Sequence, residues 1–202
     1  MTGVQTCALP ISQKSLDLLG IRGKYAYDSG EDEEKFSAAD LNASAFGKYE
    51  TQKGEAYRTQ ADKATSSGAF SRLSDEGKDK ALGYVESYAE AVALKENSGG
   101  QYEITTKWIQ NAQEAQKQYR IAPGVFAACK AAASECEMLK DKDGDSIDYS
   151  KGLQIMEMLF RSGLNEQQRT AMYEYLDVPK KIRHWNRARV DEQLAIMRKK
   201  AA

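Results

Sequence analysis

Proline is scarce: the 202 residues contain three. Helix interiors are therefore seldom interrupted, because proline removes a backbone donor and clashes with the preceding turn. Histidine is scarcer still, with His184 alone. One imidazole excludes a histidine-rich metal centre, and no serine or cysteine stands near it in sequence to form a nucleophile pair. There is no Walker loop, no GxGxxG and no CxxC, so the commonest phosphate, dinucleotide and redox motifs are missing. No apolar run approaches the roughly 20 residues needed to span a bilayer. Neither sign of charge dominates: 29 Lys and Arg face 30 Asp and Glu, for a net charge of -1. Whole-chain electrostatics thus point to neither a nucleic acid nor a membrane as partner.

Cysteine is limited to Cys7, Cys129 and Cys136. The last two fall on one face of a predicted helix, seven residues or about 10 Å of rise apart. That is too far for a disulfide within a straight helix. They read as small buried hydrophobes in reduced surroundings.

What is present is charge and helix-forming sequence. Charged residues make up 29% and apolar residues 41%, with a mean hydropathy of -0.67, which suits exposed helices or an elongated helical assembly. The first twelve residues, Met1–Ser12, lack a basic start and a long apolar stretch, so they make a poor signal peptide. They resemble translated sequencing-adapter read-through at the edge of a metagenomic contig. On that reading Cys7 carries no function and the chain is a C-terminal fragment of a longer protein. Residues 13–36 hold a short helix, Ser12–Leu19, stopped by Gly20, and a glycine-punctuated linker ending in the acidic run Glu31–Glu34.

From Ser37 the chain reads as helix after helix. Ser37–Ser66 is anchored by Leu41, Phe46, Tyr49 and Tyr57 and weakened by Gly47 and Gly54, as one helix or a broken pair. Ser74 is a natural N-cap for the next, with a stripe at Leu82, Val85, Tyr88 or Ala89, Val92 and Ala93. Asn97–Gly100 closes it. Thr105 or Thr106 caps a helix bearing Trp108, Ile109, Ala112 and Ala115. Pro123 fits the first turn of a helix running through Phe126, Cys129, Ala132, Cys136 and Leu139. Ser150 caps a helix with Leu153, Ile155, Met156, Leu159 and Phe160 facing inward, ended by Gly163. Asn165 and Gln168 form a capping box. Pro179 begins a short helical turn through Trp185, and Val190–Lys199 is the last helix. No stretch alternates with period two. The expectation is an all-α fold, an irregular multi-helix bundle without a sheet, either one globule or two lobes hinged near Asn97–Gly100. Its segments are 1–12, 13–36, a helical domain 37–140, and a C-terminal helical subdomain 141–202 led by an acidic turn.

That turn, Asp141–Asp148, is the one place where charge, glycine and spacing suggest chemistry. An EF-hand needs oxygen ligands at loop positions 1, 3 and 5, glycine at 6 and a bidentate Glu at 12. From Asp141, the carboxylates Asp143 and Asp145 fall at 3 and 5, but Ser146 falls at 6 and Gly152 at 12. Asp141, Asp143 and Asp145 are the metal candidates, for weak calcium at most. The competing reading is an interhelical corner, with Gly144 turning the chain and Ile147 plugging between the helices. The basic tail from Lys180 to Lys200 reads as a solvated helix end.

The succession Phe70–Ala89, Tyr102 with Lys107 and Trp108, Lys140–Asp148, Leu164–Arg169 and Tyr173 resembles the helical C-terminal region of large prophage-encoded proteins. These are of the polyvalent or internal-virion type, and the resemblance covers about Leu41 to Leu176. Their loop is often a fuller DxDGxG followed by an acid, where Gly152 stands here. The resemblance implies a non-enzymatic scaffold or assembly segment of a phage virion-associated protein. It implies no catalytic residues and no cofactor. Its partners would be other phage structural chains or the upstream part of the same protein, in a virion or the host cytoplasm. A weak calcium-binding, EF-hand-like interaction module and an accessory region of a larger enzyme are the alternatives.

Overall fold

The computed structural model describes residues 45–202. The expectations for Met1–Ser12, the helix Ser12–Leu19, the acidic run Glu31–Glu34, and the anchor Leu41 lie outside them. Among the described residues the fold is all-α, with no strand. Seven helices follow in order: α1 Ala45–Thr65, α2 Asp75–Asn97, α3 Lys107–Tyr119, α4 Pro123–Glu135, α5 Ser150–Phe160, α6 Glu166–Tyr175 and α7 Arg187–Ala201. A 3-10 turn, Phe70–Arg72, lies between α1 and α2. No described helix is long and apolar enough to cross a membrane.

The chain divides into two compact units. The described part of the first is residues 45–56 with Ala89–Ile104, and the second is Tyr57–Tyr88 with Thr105–Ala202. The first has a small core of Tyr49, Ala93 and Leu94, against which Phe46 and Tyr102 pack. Gly47 and Gly54 do not break α1, which is one continuous helix. The Asn97 side chain donates to Gln52 and to the Ala93 carbonyl (2.8 Å), holding the end of α2. Gly99 and Gly100 then turn the chain at φ 60° and 88°.

The second unit is built round α4. Nine of its thirteen residues are buried, from Pro123 to Ala133. A helix apolar on nearly every side is a central helix. It packs against α3, α5 and the 3-10 turn, while α5 also packs on α6 and α7. Pro123 stands in its first turn. At Gly124 the α1 backbone approaches so closely that a Cβ would meet the Gln60 carbonyl group. The Gly124 amide donates to the Gln60 side chain at 3.0 Å. The core runs through residues on both sides of position 140, including Phe126, Cys129, Leu153, Met156, Met172 and Leu194.

Four local expectations need correction. In α2, Leu82 and Val92 are half-buried, while Ala81, Val85, Tyr88, Ala89, Ala91, Ala93 and Leu94 are buried. The helix serves the second unit through Tyr88 and the first from Ala89, so no single stripe suffices. Thr106 holds the N-cap position of α3, but its side chain accepts no capping hydrogen bond. Helix α4 ends at Glu135 with Cys136 already extended (φ -76°, ψ 121°), so Cys129 and Cys136 do not share a helix and Leu139 lies beyond it. Ser150 is the first residue of α5 rather than its cap; that place belongs to Tyr149 in the left-handed region, φ 62°.

Several caps are as expected. The Ser74 hydroxyl accepts the Gly77 amide at 3.0 Å. Asn165 and Gln168 form a reciprocal capping box on α6. Gly163 ends α5 at φ 86°. The Pro179–Trp185 stretch is a run of turns, with Ile182 and Trp185 amides donating to Pro179 and Ile182 carbonyls at 3.1 and 2.9 Å. Asn186, which the sequence reading passed over, caps α7 by accepting the Arg189 amide at 3.0 Å.

Candidate functional site

The acidic turn is a closed loop whose hydrogen bonds are local. Asp141 Oδ1 accepts the amides of Asp143 and Asp145 at 3.0 and 2.9 Å. The Asp141 amide donates to the Asp145 carbonyl at 2.8 Å, and Gly144, at φ 87°, donates to Asp141 O at 3.1 Å. Lys140 and Ser146 form an isolated antiparallel bridge, and the Ile147 amide donates to Leu139 O at 2.8 Å. These bonds use Asp141 as a brace for its own turn, as an aspartate commonly does. Asp143 and Asp145 are exposed. Among the described residues no three His, Cys, Asp or Glu side chains are placed to hold a metal ion.

Gly152, which stands where an EF-hand has its last carboxylate, is buried in α5. A Cβ there would lie 2.7 Å from Pro179 Cδ and 3.0 Å from Ile182 Cδ1. The position is given over to packing the Pro179–Trp185 turns. Ile147 is half-buried and belongs to none of the core clusters, so it is not the plug between helices that the corner reading expected. Backbone pairing and the buried Ser150 replace it.

Beside the turn lies a groove of about 630 Å³. Its walls include Lys130, Met138, Tyr149, Lys151, Ile155 and Tyr175. They come from α4, the extended segment after it, α5 and α6, which the close packing of α4, α5 and α6 brings to one place. Met138 is 45% exposed, among the largest exposed apolar surfaces of the described chain. Burial, together with Glu114, Tyr119 and Glu174, pushes the Tyr175 phenol above its ordinary range. The lining pairs apolar surface with two ammonium groups and two carboxylates, Asp148 and Asp177, a balanced combination suited to an amphipathic protein segment.

The remaining candidates are dispersed. His184 is exposed on the turn before α7. Burial pushes the Cys129 thiol to about 12 and the Cys136 thiol to about 11, where neither is a nucleophile at neutral pH. The carboxylate Glu135 accepts hydrogen bonds from the Ser74 amide (3.2 Å) and hydroxyl, tying the end of α4 to the start of α2. Tyr84 and Trp108 pack at 5.1 Å between ring centres. In the basic tail, Arg189 stacks 4.1 Å over Trp185, Arg187 pairs with Asp191 at 3.6 Å, and Arg183 donates to Val178 O at 2.8 Å. The groove had no signal in the sequence, because its walls are gathered from positions 130 to 179. No protein-family model matches the chain, and no curated protein or solved structure matches it.

Proposed function

We propose that the chain is a non-enzymatic helical scaffold or assembly segment of a phage virion-associated protein, and that the groove beside the acidic turn receives its protein partner. The observation that carries this reading is the groove's lining: exposed Met138 with Tyr149, Ile155 and Tyr175, flanked by charges of both signs, Lys130 and Lys151 with Asp148 and Asp177. Aromatic residues and methionine are enriched at the centres of protein interfaces, and methionine adapts to irregular partners. The succession of capped helices that resembles prophage-encoded assembly regions supports the phage context. In this role the packed α4–α5 pair presents the groove, and the acidic turn fixes the entry to α5 beside it.

The test is to express the gene in a host that produces the phage, purify the particles, and search them for this chain by mass spectrometry. The expected result is the chain in particles, with Met138→Glu lowering its incorporation while the purified variant keeps its helical circular dichroism. Absence from particles, or full incorporation of the variant, would overturn the respective half of the proposal.

A further inference from the structure

A second, smaller cavity of about 210 Å³ opens where the 3-10 turn, α5 and α7 approach one another. Arg72, Arg161 and Arg198 line it, with Glu157, Glu135 and Cys136. Three arginines line it from three separate stretches: the 3-10 turn, the residue after α5, and α7. Glu157 holds two of them: Arg161 Nη2 lies 3.2 Å from Oε1 and Arg198 Nη2 lies 2.7 Å from Oε2. Its side chain is 16% exposed, so the carboxylate is a fixed, largely dry post that orients both forks. Each guanidinium has five N–H donors, and one apiece is spent on Glu157. Arg72 has no ion pair among the described residues, and Glu135 is engaged by Ser74. The lining therefore carries three positive charges against two negative ones, with most of the arginine donors unspent.

We propose that this cavity binds a small tetrahedral oxyanion of the phosphate class. Planar forks from several directions match the several oxygens of such an ion, and charge-assisted bonds of this type are the strong ones. Size sets the ligand class. The cavity lies below the roughly 300–1,000 Å³ typical of pockets that enclose drug-sized ligands, which leaves room for an ion rather than a nucleotide. Glu157 also sets the strength, because its charge opposes the anion it helps to receive. The assignment is independent of the role given to the groove.

The experiment follows the arginine Nε–H signals of the ¹⁵N-labelled full chain by NMR. Inorganic phosphate is added at constant ionic strength, with sodium chloride and sodium acetate in parallel. The expected result is that Arg72, Arg161 and Arg198 shift together and saturate at about millimolar phosphate, an affinity suited to an exposed ionic site. Arg72→Gln, which breaks no ion pair, weakens the binding about tenfold. Glu157→Gln, which removes the opposing charge, tightens it. Shifts that grow linearly and are the same in chloride would show no site. Equal saturation by acetate would overturn the phosphate class, and unchanged phosphate binding by Arg72→Gln would overturn the three-arginine assignment.

Discussion

The Ser150 hydroxyl accepts the Leu139 amide hydrogen at 2.9 Å, closing the whole acidic turn at its base. It also contacts the Met138 sulfur, at 3.1 Å, from a fully buried position. Ser150→Ala would leave the amide of half-buried Leu139 without this acceptor. A buried donor left unpaired costs about 1–3 kcal/mol. Urea unfolding at pH 7 should show that loss, and a variant as stable as the parent would remove the hydroxyl from this role.

Gly152 gives a sharper test, because the same substitution is argued in opposite directions by two readings. Glutamate there would complete the ligand ring of an EF-hand. The structure places Pro179 and Ile182 where its Cβ would go. Overpacking of this kind costs about 1–3 kcal/mol even for Ala. Gly152→Ala should lower the unfolding midpoint, Gly152→Glu should lower it further, and calcium titration of either should give no heat. A stable Gly152→Glu chain that binds calcium would restore the metal reading.

Within the turn, the three aspartates are unequal. Asp141 accepts two amides, whereas Asp143 makes no side-chain hydrogen bond among the described residues. Asp141→Ala should therefore cost about 1 kcal/mol and Asp143→Ala close to nothing. Chemical denaturation of the pair checks the order. The reverse would mean that Asp143, rather than Asp141, braces the turn.

The thiols predict an alkaline limit. Burial raises Cys129 to about 12 from an ordinary value of 9.0. Between those values the unfolded chain has lost a proton that the folded chain keeps, so stability falls as pH rises. The contribution is intact below about pH 9 and is lost progressively toward pH 12. Comparing unfolding at pH 8 and pH 10.5, Cys129→Ala should lose less stability than the parent. An equal loss in both would place the alkaline sensitivity elsewhere.

Asn165 and Gln168 satisfy one another's backbone, and Gln168 also donates to the Tyr119 carbonyl at 3.1 Å. Asn165→Ala should cost about 1 kcal/mol, as N-cap losses do. A double-mutant cycle with Gln168→Ala should be non-additive because the box is reciprocal. Additive losses would mean that the two caps act separately.

Local chemistry was legible; long-range chemistry was not. Ser74, Pro123, Gly163 and Asn165 each act within a few residues, so their caps and stops could be read from spacing alone. The end of α4 could not. Cys136 and Leu139 continue its apolar period, yet the helix stops at Glu135, whose carboxylate is held by Ser74, 61 residues away, while the Leu139 amide is held by Ser150. Ile147 has the hydropathy of a core residue, but its amide, paired to Leu139, fixes it at the rim. The groove escaped for the same reason. Lys130, Met138, Lys151 and Tyr175 have no common periodicity, and only tertiary packing makes them neighbours.

The acidic turn has one more consequence, for engineering. Its stem is closed by the Lys140–Ser146 bridge and the Leu139–Ile147 bond, while Lys142, Asp143 and Gly144 at its tip are exposed. A stem that closes itself does not ask its tip to be short, since each doubling of loop length costs only about 0.6 kcal/mol. The tip is thus a socket into which a tag, an epitope or a fluorophore-bearing peptide can be spliced, carried beside the groove without entering the core.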